Sequence, residues 1–241
     1  MRHLWLHGFA SGPTSSKGQF VRERLRERGI ELAIPDLNEP AFFDLTVTRM
    51  LERVDRLSAG TDPVVLFGSS LGGFTAATWA AARPGRAHAL VLLAPAFDLA
   101  SRWASRMGAA EVEKWRRSGR HAFDHYALGR KEDLSYAFLA DAQRHEAFPL
   151  PDCPTLAIQG TRDEVVDPAL AREFVRRMGE RARLVPRQRA DHRGAAGQPA
   201  RPRAELVELP EGHELTANLP GLWRHIDGFL TATGPGRRRN T

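Results

Sequence analysis

Apolar positions along this chain gather in short unbroken runs: Leu4–Leu6, Leu32–Ile34, Val64–Phe67, Ala89–Leu93, Thr155–Ile158 and Leu206–Leu209. Unbroken runs fit strands buried on both faces, because a strand with one wet face alternates apolar and polar residues. Between them, residues 16–28, 44–58, 71–83, 168–178 and 219–231 carry helical spacing. Strand and helix alternating in this way predict an α/β fold, with a mostly parallel sheet of about six strands flanked by helices. Local signals support the helix positions. Ser16 followed by Gln19 reads as a capping box, and Asp167 before Pro168 as an N-cap with proline in the first turn. Gly29 and Gly179 stand where helices are expected to stop.

Two stretches interrupt the alternation. Residues 99–150 hold no strand-like run and place Trp103, Trp115, Phe123, Tyr126, Tyr136 and Phe138 among many charges. A small helical cap over one edge of the sheet is expected there. Its aromatics would line an acyl pocket, though ordinary packing of cap on sheet accounts better for most of them. Residues 186–203 are polar, with three Pro and two Gly, and are expected to be a disordered insertion. One domain over 1–232 and a flexible basic tail over 233–241 complete the expected organisation.

Charge changes this picture little. The net charge is +6, and of 35 basic residues only Lys17, Lys114 and Lys131 are lysines. Residues 181–203 contribute +6 and Arg237–Arg239 another +3, leaving −3 for the rest of the chain. The basicity therefore sits in two segments, and no basic stripe crosses the expected active edge, so nucleic acid is not the expected partner. The single cysteine, Cys153, excludes an internal disulfide and a thiol metal cluster. The N-terminus has an apolar stretch of only three residues, too short for a signal peptide, and no run spans a membrane. A cytoplasmic, soluble protein is expected.

The stretch richest in chemistry is Val64-Val65-Leu66-Phe67-Gly68-Ser69-Ser70-Leu71-Gly72-Gly73. A buried strand runs into Gly-x-Ser-x-Gly and then an alanine-rich helix. A serine at a sharp strand-to-helix turn needs small neighbours, here Gly68 and Gly72, and its hydroxyl emerges at the C-terminal edge of the sheet. The Leu71 amide then opens a helix and can stabilise an oxyanion. His7-Gly8-Phe9 follows the first strand; Gly8 permits a tight turn, Phe9 supplies a second amide, and His7 reads as a positioning residue.

A serine hydroxyl needs a base, and the base needs a carboxylate to fix its tautomer. Of nine histidines, His213 lies after the last strand-like run and before the final helix, at the same sheet edge as Ser70. Asp163 follows the fifth run at that edge and is the preferred acid, with Asp98, after the fourth run, as the alternative. The order Ser70, Asp163, His213 is the order this scaffold requires. His121 and His125, four apart, read as surface helix residues and not as metal ligands, and no cofactor fingerprint appears.

With these residues in place, the chain resembles the alpha/beta-hydrolase superfamily over nearly its full length. The opening His7-Gly8-Phe9-Ala10-Ser11-Gly12-Pro13-Thr14-Ser15-Ser16-Lys17, the Gly68–Gly73 elbow and Leu92-Leu93-Ala94-Pro95-Ala96 are similar to small bacterial YqiA-type esterases. The resemblance implies a compact hydrolase that begins at the superfamily's third strand and uses Ser70, Asp163 and His213 as a triad. Asp163 and His213 are 50 residues apart, longer than usual for this group, and segment 186–203 accounts for the excess. The expected activity is cleavage of a small-molecule acyl ester or thioester. A peptidase or amidase on the same triad, and a non-catalytic binding protein with a hydrolase-like fold, are the alternatives.

Overall fold

The computed structural model describes residues 1–60, 62–184 and 204–234. The insertion expected at 186–203 and the tail beyond Gly234 lie outside the described residues. Six strands form one sheet: β1 (Arg2–Leu6), β2 (Leu32–Ala33), β3 (Val64–Ser69), β4 (Ala87–Leu93), β7 (Thr155–Gly160) and β8 (Ala204–Leu209). Their order is β2-β1-β3-β4-β7-β8, with every neighbouring pair parallel. All six strand-like runs of the sequence are therefore strands of this sheet.

The central strands are apolar throughout because both faces are covered. Along β3, Val64 and Leu66 join one core cluster while Val65 and Phe67 join the other, as a side-chain period of two dictates. Helices α1 (Ser16–Arg26) and α8 (Leu219–Thr233) cover the second face with Val21, Leu25, Leu222, Ile226 and Phe229. Helices α2 (Val47–Leu57), α3 (Leu71–Ala82) and α7 (Pro168–Leu184) cover the first.

The segment 99–150 departs from the expected helical cap. It contains α4 (Leu99–Met107), α5 (Ala109–Ser118) and α6 (Ala137–Ala142), but also an antiparallel hairpin, β5 (Arg120–His125) and β6 (Arg130–Ser135). His121 and His125 thus stand on a strand, not on a helix. Along β5 the sequence does alternate: His121, Phe123 and His125 point inward while Arg120, Ala122 and Asp124 are exposed. The inward residues are largely histidine, so the alternation carries little hydropathy contrast. The outer face is held by ion pairs, Lys131 with Asp124 and Arg120 with Asp133.

Three local expectations are also corrected. Ser15, not Ser16, is the N-cap of α1; its side chain makes no capping bond, and Gln19 instead donates to the Pro13 carbonyl at 2.6 Å. Gly179 does not stop α7, which runs on to Leu184. One internal glycine costs a helix only about 1 kcal/mol, and the ion pair from Arg176 to Glu180 spans the position. The helix expected from residue 44 begins at Val47, where the Thr46 hydroxyl accepts from the Arg49 amide, after a short 3-10 turn at Phe42–Asp44. Asp167 does cap α7, accepting from the Ala169 amide at 2.8 Å. No helix among the described residues is long and apolar enough to cross a membrane.

Candidate active site

Because all six strands of the main sheet run the same way, the loops that leave their C-terminal ends share one edge. His7 follows β1, Ser70 follows β3, Asp163 follows β7 and His213 follows β8. Backbone strain collects at the same edge. The non-glycine residues with positive φ among the described residues are Ala10, Ser70, Ala94, Asp98 and Leu215, each in a loop leaving β1, β3, β4 or β8. Such conformations cost about 1–3 kcal/mol each and persist where the surroundings enforce them.

At Ser70, φ is 53° and ψ is −115°. Its amide donates to Leu93 O at 2.8 Å, and its carbonyl accepts from Phe74 N at 3.0 Å and Ala96 N at 3.1 Å. These bonds tie the turn to the neighbouring strand and to the helix it opens. The flanking glycines are a packing necessity. A Cβ on Gly68 would lie 2.4 Å from Gly72 O, and one on Gly72 would lie 2.0 Å from Leu6 O. Both contacts are with backbone that cannot yield, so the elbow closes only without side chains there.

Asp163 is completely buried at its side chain, with 0% exposure, and its carboxylate is well supplied with donors. Oδ2 lies 2.8 Å from His213 Nδ1 and accepts from Gln159 Nε2 at 2.8 Å. Oδ1 accepts from the Val165 amide at 2.9 Å and the Val166 amide at 2.8 Å. Burial alone would raise this carboxyl's pKa. The bonds from His213 and from the Val166 and Val165 amides outweigh burial and hold it below the usual carboxylate range. An ionised carboxylate only accepts, so His213 carries its proton on Nδ1 and leaves the Nε2 lone pair free. Asp98 takes another role. It opens α4 and lines a different cavity, beside Phe74 and His145.

Ser70 and His213 line one cavity of about 520 Å³, together with Gly8, Phe9 and Tyr126. Among the described residues no hydrogen bond ties the Ser70 hydroxyl to His213; in unliganded sites this contact often forms only with substrate. The amides of Phe9 and Leu71 have no acceptor among the described residues. His7 spends both ring nitrogens on backbone groups, one in its own loop and one in the loop after β2. Nε2 accepts from the Leu37 amide at 3.0 Å, which leaves Nδ1, 2.9 Å from Gly8 O, to donate. Phe9 is gripped by Phe42, Trp103, Phe123 and Phe138, with ring centroids 4.8–5.9 Å away. Trp103, Phe123 and Phe138 therefore pack the cap onto the loop that follows β1, and Tyr126, 80% exposed at the hairpin tip, is the cap aromatic that reaches the cavity.

The sequence pattern passes over two further residues at this site. Gln159 is a long polar side chain near the end of a fully buried strand, directly after the apolar Leu156–Ile158, and that mismatch was its visible signal. Lys17 is buried at the start of α1, where its Nζ donates to Glu214 O at 2.6 Å and to Glu214 Oε2 at 3.2 Å. It thereby ties α1 to the residue next to His213. Burial lowers the Lys17 pKa, and Glu214 offsets part of that effect. No group of three His, Cys, Asp or Glu among the described residues could hold a metal ion. Cys153 is buried, and burial pushes its thiol up to about 12, so it is not a reactive thiol.

A parallel six-stranded sheet between helices, with an elbow after β3, is the fold of the alpha/beta hydrolases. The chain belongs to an uncharacterised protein family, UPF0227, whose model matches residues 2–193. Among solved structures, alpha/beta hydrolase domain-containing protein 10 from mouse matches at TM-score 0.72 and 19% identity, over 95% of this chain and 89% of that one. Est1E from Butyrivibrio proteoclasticus matches at TM-score 0.65 and 18% identity, over 95% of this chain and 86% of its own. The monoacylglycerol lipase of Paleococcus ferrophilus matches at TM-score 0.68 and 16% identity, over 95% and 93%. At these identities the likeness is one of fold. No curated protein sequence matches the chain.

Proposed function

We propose that this protein is a serine hydrolase that cleaves carboxylic esters or thioesters through an acyl-enzyme on Ser70. The observation that carries the reading is the His213–Asp163 pair, 2.8 Å apart at the edge where the strained Ser70 turn opens a helix. His213 Nε2 removes the Ser70 proton as the hydroxyl oxygen attacks the ester carbonyl. The Phe9 and Leu71 amides, which lack other acceptors among the described residues, donate to the oxyanion of the tetrahedral intermediate. His213 then passes the proton to the departing alcohol or thiol, and the acyl group remains on Ser70. Water, deprotonated by His213, attacks the acyl carbonyl and releases the acid and free serine. Asp163 stays ionised throughout and stabilises the imidazolium that forms in both halves.

Two structural neighbours bear on the substrate class: one is named a monoacylglycerol lipase, and Est1E has been solved with ferulic acid bound. Both names fit a small-molecule acid or acyl ester as the ligand of this cavity. The test is steady-state hydrolysis of short aryl esters and acyl thioesters by the purified protein. Asp163→Asn is expected to lower kcat by about 10⁴-fold, because it favours the wrong His213 tautomer. Hydrolysis that persists undiminished in Asp163→Asn would refute the assignment.

A further inference from the structure

One wall of the same cavity carries hydrogen-bond donors, several of which have no acceptor among the described residues. Trp5, Ser15, Ser16 and Lys17 line it. Trp5 is 0% exposed, yet among the described residues its indole Nε1–H has no partner, and neither does the hydroxyl of Ser15. Both atoms face the bare backbone of Gly18, where a Cβ would lie 2.8 Å from each. This point is also the N-terminus of α1, an 11-residue helix with no acidic residue in its first turn and no side-chain cap. The amides of Ser16, Lys17 and Gly18 have no acceptor among the described residues. Lys17 adds a buried ammonium, two of whose three N–H groups go to Glu214.

An indole N–H and an ammonium can only donate, and the start of a helix carries partial positive charge. A donor set of this kind is complementary to an anionic oxygen group and gives nothing to an alkyl chain. We propose that this wall binds a carboxylate or phosphate carried by the substrate, so that the preferred substrates are anionic acyl esters. The inference rests on the serine-hydrolase reading and specifies the substrate class for that site. The Glu214 carboxylate, whose side chain is 75% exposed, now holds Lys17 and is free to turn into solvent when a substrate anion arrives.

The test compares kcat/KM of the full-length protein on three matched aryl esters: neutral pentanoate, the monoester of glutaric acid, and the ester of phosphonobutyric acid. At least one anionic ester is expected to exceed the neutral one by about tenfold or more, the worth of a charge-assisted hydrogen bond. The arm that wins distinguishes carboxylate from phosphate. The anionic-to-neutral ratio is expected to fall toward one in Lys17→Met, to shrink in Trp5→Phe, and to rise in Glu214→Gln, where the competing carboxylate is gone. Should Lys17→Met fail to fold, the opposite shifts in Trp5→Phe and Glu214→Gln decide the matter. A wild-type ratio near or below one for both anionic esters, or a ratio indifferent to these variants, overturns the inference and leaves the hydrolase reading standing. No hydrolysis of any ester, with Ser70 unreactive toward a phosphonate, overturns both.

Discussion

Ser70 occupies a backbone conformation that serine avoids, and its hydroxyl emerges at the sheet edge because the hydrogen bonds to Leu93, Phe74 and Ala96 enforce that conformation. Glycine adopts positive φ without this penalty, so a trade between activity and stability is built into the position. Ser70→Gly is expected to unfold at a higher temperature than Ser70→Ala, by the equivalent of about 1 kcal/mol, with both variants inactive; thermal denaturation measures the difference. Asp163 adds a pH dependence. Its carboxyl is held below the unfolded value of about 3.9. A depressed carboxyl contributes stability that is present above about pH 4 and is lost as pH falls through the folded value. Urea midpoints measured from neutral to strongly acid pH should therefore drop less steeply below about pH 4 in Asp163→Asn than in the wild type.

At the scale of elements, the parallel strands were legible because burial on both faces leaves unbroken apolar runs, and the elbow because its glycines are forced by backbone contacts. The β5–β6 hairpin was not legible: its inward positions include His121 and His125, and its outward face is stabilised by cross-strand charge pairs that read as a polar helix surface. The positions of Ser70, Asp163 and His213, the proposed triad, in loops at one sheet edge followed from strand order and the Gly-x-Ser-x-Gly turn. Lys17 acts through Glu214, at the far end of the chain, and no local pattern encodes such a partner; Gln159 acts through nearby Asp163, and only its polarity in a buried strand marks it. A similar long-range tie joins α6 to α2. Asp141 accepts from the Thr48 amide at 2.8 Å and from its hydroxyl at 2.7 Å, which caps α2 from outside. Burial would raise the Asp141 carboxyl, but His145 and Thr48 outweigh it and bring it down to about 2. That depression corresponds to about 2 kcal/mol at neutral pH, fading as pH falls from about 4 to about 2. Asp141→Asn is expected to lose about that much in urea denaturation.

Across the whole molecule, one parallel sheet brings to a single edge four loops that are far apart in sequence, and the strain at Ala10, Ser70, Ala94, Asp98 and Leu215 lies along that edge. The cap contributes by fixing position: its aromatics clamp Phe9, whose amide is assigned to the oxyanion. In the proposed mechanism this edge activates Ser70 as a nucleophile. A fluorophosphonate probe reacts with activated serines and tests the claim without knowledge of the substrate. A stoichiometric adduct is expected, placed on Ser70 by peptide mass spectrometry, lost in Ser70→Ala and strongly slowed in a folded His213→Ala. A folded wild-type protein that takes no label, or takes it on another residue, would contradict that mechanism.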